Sequence, residues 1–148
     1  MNKNIFERYS SGKKQPTIAF TSKRQNSDHT TSAKITRSSN LLLLKAPSLK
    51  GTPSLSSLNS YIKKTEEIIQ EQIAANPRLE FVIIQTKDVR LKGYIEPLAK
   101  RLFDELASDN LWLKEIILLT TDDRRTRKLR NGHLKIAHQY LLVYKIKR

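Results

Sequence analysis

Cysteine is absent from the chain, which excludes disulfide frameworks, thiolate metal sites and thiol nucleophiles. Glycine is scarce: the four residues are Gly12, Gly51, Gly93 and Gly132. None lies between an apolar strand and a helix in the place that a cofactor turn requires, where backbone must approach the ligand closely. Acidic side chains are few, Asp+Glu 14 against Lys+Arg 28. No apolar run approaches the roughly 20 residues that span a bilayer; the leucines at 41–44 form only a short patch. The first residues hold no apolar leader, since polar and basic side chains follow Met1. These absences lead to the expectation of a soluble intracellular protein with no membrane partner.

What is abundant is positive charge. A formal net charge of +14 over 148 residues favours a polyanionic partner through phosphate contacts and counterion release, with nucleic acid the first candidate. The length allows at most one ordinary domain. Residues 1–53 are rich in Ser, Thr, Lys and Arg, and Glu7 and Asp28 are their only acids. Such a segment buries too little apolar surface to offset its ordering entropy, so a disordered basic tail is expected. Two apolar islands within it, residues 18–20 and 41–44, are candidates for ordering on a partner.

From about residue 54 the pattern becomes periodic. Leu55, Leu58, Ile62, Ile69 and Ile73 place apolar side chains on one face of a helix over about 57–75. Asn76-Pro77 ends it, because proline disfavours helical geometry in the residue before it. LEFVIIQT, residues 79–86, is a continuous run that reads as a strand buried on both faces. After Gly93, the Ile95, Leu98, Leu102, Phe103 and Leu106 spacing predicts a second amphipathic helix with Pro97 in its first turn. LWLKEIILLT, residues 111–120, is a second strand, parallel to the first across the helix. A polar loop follows, and residues 137–145 form a last strand returning antiparallel. The expected domain over 54–148 is α/β, with three strands, the last antiparallel, and two main helices.

In their order, EFVIIQTKDVR, GYIEPLAKRLFDELASDNLWLKEIILL and HLKIAHQYLLVYKI resemble the C-terminal half of the S-adenosylmethionine-dependent DNA amino-methylases. The resemblance is carried by Lys87, Asp88, Val89 and Arg90; by Tyr94, Pro97 and Leu98; by Leu113, Lys114 and Glu115; and by His138, Tyr140, Leu141, Leu142 and Val143. It implies a truncated Rossmann-like half-sheet in which the closing strand inserts antiparallel between the two before it. The residue 79–86 strand is then an edge, covered by the first helix and the Leu41 segment or by a partner subunit. The family's cofactor turn is missing, and so is its [Asp/Asn/Ser]-Pro-Pro-aromatic loop. Asn76-Pro77-Arg78 is the nearest sequence to that loop. The expected chain is catalytically inactive, with no catalytic residue and no cofactor of its own, and S-adenosylmethionine bound by a catalytic partner. In plan it is similar to the small accessory DNA-binding subunits of the ciliate DNA N6-adenine methyltransferase complex, which implies a nuclear hetero-oligomer. An RNA-binding module of a ribonucleoprotein and a divergent active methyltransferase are the alternatives.

The strongest candidate for nucleic-acid contact is the loop residues Arg124, Arg125, Arg127, Lys128 and Arg130, which concentrate charge beside only Asp122 and Asp123. Lys87, Asp88 and Arg90 follow a strand at its carboxyl end, the customary ligand side of an open α/β sheet. Asp88 there is a polar anchor on one reading, and a local ion pair or turn residue on the other. His29, His133 and His138 are the whole histidine supply and show no metal-binding spacing. Trp112, Phe103 and Tyr140 read as core.

Overall fold

The computed structural model describes residues 3–10, 17–20, 39–45, 53–120, 136 and 138–148. In chain order the elements are α1 (Lys3–Tyr9), β1 (Thr17–Phe20), β2 (Leu41–Lys45), α2 (Leu55–Ala75), β3 (Phe81–Thr86), β4 (Val89–Leu91), β5 (Tyr94–Glu96), α3 (Leu98–Glu105), β6 (Leu111–Thr120) and β7 (His138–Ile146). They make a mixed α/β fold around one mixed sheet of order β1-β2-β3-β7-β6. β1, β2 and β3 run parallel, and β7 is antiparallel to both β3 and β6. Among the described residues, no helix is long and apolar enough to cross a membrane.

Local chemistry sets the elements. Ser54 caps α2 in a reciprocal box: Ser57 N–H donates to Ser54 Oγ at 3.1 Å, and Ser54 N–H donates to Ser57 Oγ at 2.9 Å. The helix then buries Leu58, Tyr61, Ile62, Thr65 and Ile69, one stripe at 3.6-residue spacing. Thr65 is tolerated there because its hydroxyl donates to the Tyr61 carbonyl at 2.8 Å. Asn76 ends α2 and joins it to the sheet: its amide donates to the Ser39 carbonyl at 2.7 Å and its Oδ1 accepts from Arg78 N–H at 3.1 Å. The residue nearest in sequence to a family catalytic loop is therefore a buried structural tie.

The two sheet faces are covered unequally. Val82, Ile84, Leu142 and Tyr144 pack under α2 and α3, together with Leu42 and Leu44. On the reverse face Leu41, Leu43, Ile83, Leu141 and Val143 meet Tyr9 of the seven-residue α1. Tyr9 and Phe81 pack with ring centroids 5.2 Å apart, and Lys114 Nζ lies 5.3 Å from each ring. Burial of β3 on both faces is as its continuous apolar run predicts.

Several expectations are corrected. Residues 41–45, expected within a disordered tail, form an interior strand with all four leucines buried. Full burial of a leucine contributes about 1.5–3 kcal/mol, against a backbone ordering cost of about 1–2 kcal/mol per residue. Ladder bonds on both edges then favour order for a run that the composition of 1–53 averages away. This strand pairs with β3, so of the two alternatives for the β3 edge the structure has cover by the Leu41 segment. Among the described residues, the three strands expected become five in the main sheet, with a separate two-stranded sheet of β4 and β5. The second helix is shorter than its apolar spacing suggests. Residues 94–96 pair with 89–91 through a two-residue turn at Lys92 (φ 46) and Gly93 (φ 91), whose positive φ angles suit a hairpin. Pro97 is the N-cap of α3 rather than its first-turn residue. Trp112 and Phe103 are exposed, at 56% and 41%; β6, which carries Trp112, is the edge strand of the sheet among the described residues.

Two outcomes follow for stability. A chain beginning at residue 54 loses β1 and β2, and its far-ultraviolet circular dichroism should show no cooperative thermal transition, whereas a freely dispensable tail would leave the transition intact. Leu42→Ala should lower the unfolding free energy in urea by about 2–5 kcal/mol.

Candidate functional site

The carboxyl end of β3 is followed directly by Lys87 and Asp88. Asp88 is only 8% exposed. The amino end of β7 brings two side chains to it: Tyr140 O–H donates to Asp88 Oδ2 at 3.3 Å, and His138 Nε2 lies 3.6 Å from the same oxygen. The His138 and Tyr140 rings meet edge to face at 5.2 Å. These partners are remote in sequence, so Asp88 is neither a local ion pair nor a turn residue. Antiparallel pairing of β7 with β3, which sets Thr86 opposite Tyr140, makes the cluster.

The polar groups here are incompletely paired. Asp88 Oδ1 and the Thr86 hydroxyl are buried without a hydrogen-bond partner among the described residues, and a buried acceptor left unpaired costs free energy. Burial raises the Tyr140 phenol above its usual 10.0, and the Asp88 charge and the hydrogen bond to it add to the shift. Burial also pushes up the phenol of Tyr144.

Beside the cluster is an open groove of about 260 Å³, lined by Asp88 and Tyr140 at one end and by Pro97, Phe103, Ile116 and Leu142 along its walls. α3 contributes one bank, and the edge strand β6 with its interior neighbour β7 the other. Ile116 and Leu118 of β6, 55% exposed each, continue the apolar surface. Lys100 also borders the groove and is ion-paired with Asp104 one turn on.

Lys87, Asp88 and Arg90 do not converge. Lys87 is exposed, while Arg90 turns into the hairpin and donates to the Gly93 carbonyl at 2.9 Å. Only Asp88 enters the cluster. Arg124, Arg125, Arg127, Lys128 and Arg130 lie outside the described residues, as do His29 and His133. The segment that carries the basic residues has defined ends, however. It leaves β6 at Thr120 and rejoins β7 at His138, and these two residues face each other in the ladder. Sequence spacing alone keeps Asp88 apart from His138 and Tyr140; the one signal that could join them is the inserted position of the closing strand. Among the described residues, no group of three or more His, Asp or Glu side chains could hold a metal ion.

The titration of Tyr140 has a definite sign. A phenol pKa raised in the folded state favours the neutral form, so its contribution to stability is complete below the unfolded value near 10.0 and is lost as pH rises through the higher folded value. Urea unfolding on the alkaline side should show stability falling above pH 10. Asp88→Asn should bring Tyr140 ionisation, followed by tyrosinate absorbance, part of the way back, since burial remains.

No family model matches this chain, and no curated protein matches it.

Proposed function

We propose that the chain is a non-catalytic, DNA-binding accessory subunit of a nuclear DNA adenine methyltransferase complex, in which a partner subunit carries S-adenosylmethionine and the methyl-transfer residues. The observation that carries the reading is where the positive charge is attached. Residues 121–135 hold the Arg124, Arg125, Arg127, Lys128 and Arg130 cluster, and their flanking strands anchor it at the paired residues Thr120 and His138. Phosphate contacts by these side chains would account for the large net charge of +14.

Two further observations support the methyltransferase part. The order β3-β7-β6, with β7 reversed between its neighbours, is the arrangement the resemblance implies for the closing strand. The scarcity of glycine and the lack of any Pro-Pro pair leave the chain without the family's cofactor turn and amino-group loop, which favours an accessory role. Docking on a partner is supported by β6, a ten-residue edge strand that exposes Trp112, Ile116 and Leu118; an edge of this kind is commonly covered.

Replacement of Arg124, Arg125, Arg127 and Lys128 by Ala should weaken duplex DNA binding and flatten the dependence of log K on log salt by up to about 3.6, at about 0.9 for each phosphate no longer neutralised. Unchanged affinity and slope would remove the loop from the interface. Affinity purification from native cells should recover a chain with the Asp-Pro-Pro-aromatic motif, and recovery of this protein alone would count against the accessory role. Preference for structured RNA over DNA at matched salt would favour a ribonucleoprotein module instead.

A further inference from the structure

Among the described residues β6 has one neighbour in the sheet, β7, and its other edge is open. An open edge presents a row of N–H and C=O groups, and native proteins blunt it with charge, proline or a bulge. β6 carries its bulge between Leu113 and Glu115 and its charges at Lys114 and Glu115. Beyond them it has none of these devices. The run Ile-Ile-Leu-Leu-Thr, residues 116–120, pairs with β7 without interruption, from Ile116 opposite Leu142 to Thr120 opposite His138. At about 3.3 Å per residue, this is a regular edge of roughly 17 Å.

The two faces beside this edge differ in character. Ile116 borders the groove on the α3 side, and Leu118, two residues on, shares its face. The reverse side is cationic. Lys114 Nζ lies there, over the rings of Tyr9 and Phe81. Tyr144 packs into the core under α2 and α3, so alternation turns Lys145 to the reverse side, opposite Trp112. Lys147 Nζ lies 5.5 Å from the Trp112 ring. All three lysines are exposed. Of the acids nearby, Glu115 is ion-paired with Arg8 at 3.6 Å, which leaves exposed Asp109 against three cations. A second copy of the chain fits poorly, because it brings the same lysines and a net charge of +14. An extended segment that is apolar on one face and acidic on the other matches both sides.

We propose that the open edge of β6 over residues 115–120 docks an extended, acidic segment of a partner protein, which adds to the sheet as a further strand. Its apolar side chains pack against Ile116 and Leu118, and its carboxylates turn to the side of Lys114, Lys145 and Lys147. Main-chain hydrogen bonds hold the segment, and the alternation of its side chains selects it. The contact deepens the accessory-subunit reading and rests on it for the protein that supplies the segment, but recognition at the edge needs neither DNA nor methyl transfer.

The probe is the end-capped peptide Glu-Val-Glu-Val-Glu-Val-Glu, titrated against the isotope-labelled full chain by heteronuclear nuclear magnetic resonance. Salt is held at about 0.15 M, where charges farther apart than about 8 Å are largely screened. The peptide should shift the amides of residues 115–120 and slow their hydrogen exchange. The same peptide N-methylated along its backbone, which cannot donate to the edge, should leave them unchanged, and a version with Lys for Glu should bind at least about ten-fold more weakly. Ile116→Ser combined with Leu118→Ser should weaken the Glu-Val peptide by about ten-fold or more, the scale of burying one apolar side chain. Both side chains are 55% exposed, so this variant keeps the fold. Equal binding of the N-methylated or the lysine peptide, or shifts that miss residues 115–120, overturns the proposal. Dimerisation in sedimentation that the serine variant abolishes, with no peptide binding, would identify a second copy as the occupant and also overturn it. If the Glu-Val peptide pairs with β6 but no methylase is recovered with the chain from cells, the docking edge stands and the methyltransferase reading falls.

Discussion

The parallel pairing of Leu41–Lys45 with Phe81–Thr86 is the constraint on which the other elements depend. β3 is apolar on both faces and needs a neighbour on each edge as well as cover above and below. β2 and β7 provide the edges. The connection from β2 back to a parallel strand requires a crossover, and α2 supplies it while burying its stripe on the sheet. Asn76 and Ser39 close this unit at one end through a buried amide–carbonyl bond, and Asn40 extends it by donating to the Tyr9 carbonyl at 3.2 Å. The far N-terminal helix is thus linked to the strand that organises the centre.

At the other end of β3 the same pairing has the opposite consequence. The register that buries Leu141, Leu142 and Val143 against β3 brings Tyr140 beside Thr86 and carries His138 to Asp88. Core packing fixes the position of this cluster, but it does not fill all of its hydrogen bonds. Strands covered on both faces hold the core, and at the carboxyl end of β3 Asp88 Oδ1 and the Thr86 hydroxyl lack partners among the described residues, near the exposed side chains of Phe103 and Ile116. Asp88, Phe103 and Ile116 all belong to that boundary, with Tyr140 half-buried behind them. Function on an open α/β sheet is customarily found at such strand ends, and here the basic segment is attached at the same place.

Much of the architecture is legible in the chain because it rests on local periodicity. The α2 stripe, the both-faces burial of β3, the extent of β6 and the antiparallel return of β7 all follow from apolar spacing and the Asn76-Pro77 stop. Less legible is β2, since four leucines in a Ser- and Lys-rich segment are outweighed by their surroundings when only composition is considered. The β4–β5 hairpin is hidden for another reason: Lys92-Gly93 is a weaker turn signal than Asn-Gly, and the apolar residues of β5 also fit the helical spacing that continues into α3. Residue type alone points Trp112 and Phe103 to the core, yet their exposure depends on which strand lies at the edge.

The sequence by itself determined the chemistry available to this protein: no thiol, no glycine-rich turn, a large positive charge and its concentration between residues 124 and 130. These are properties of residue identity and need no fold. Tertiary structure alone decided that Asp88, His138 and Tyr140 form one cluster, that Asn76 is a structural tie, and that Phe103 borders a groove. Each of these depends on strand order and register across tens of residues, and hydrophobic periodicity carries information over only a few turns of chain.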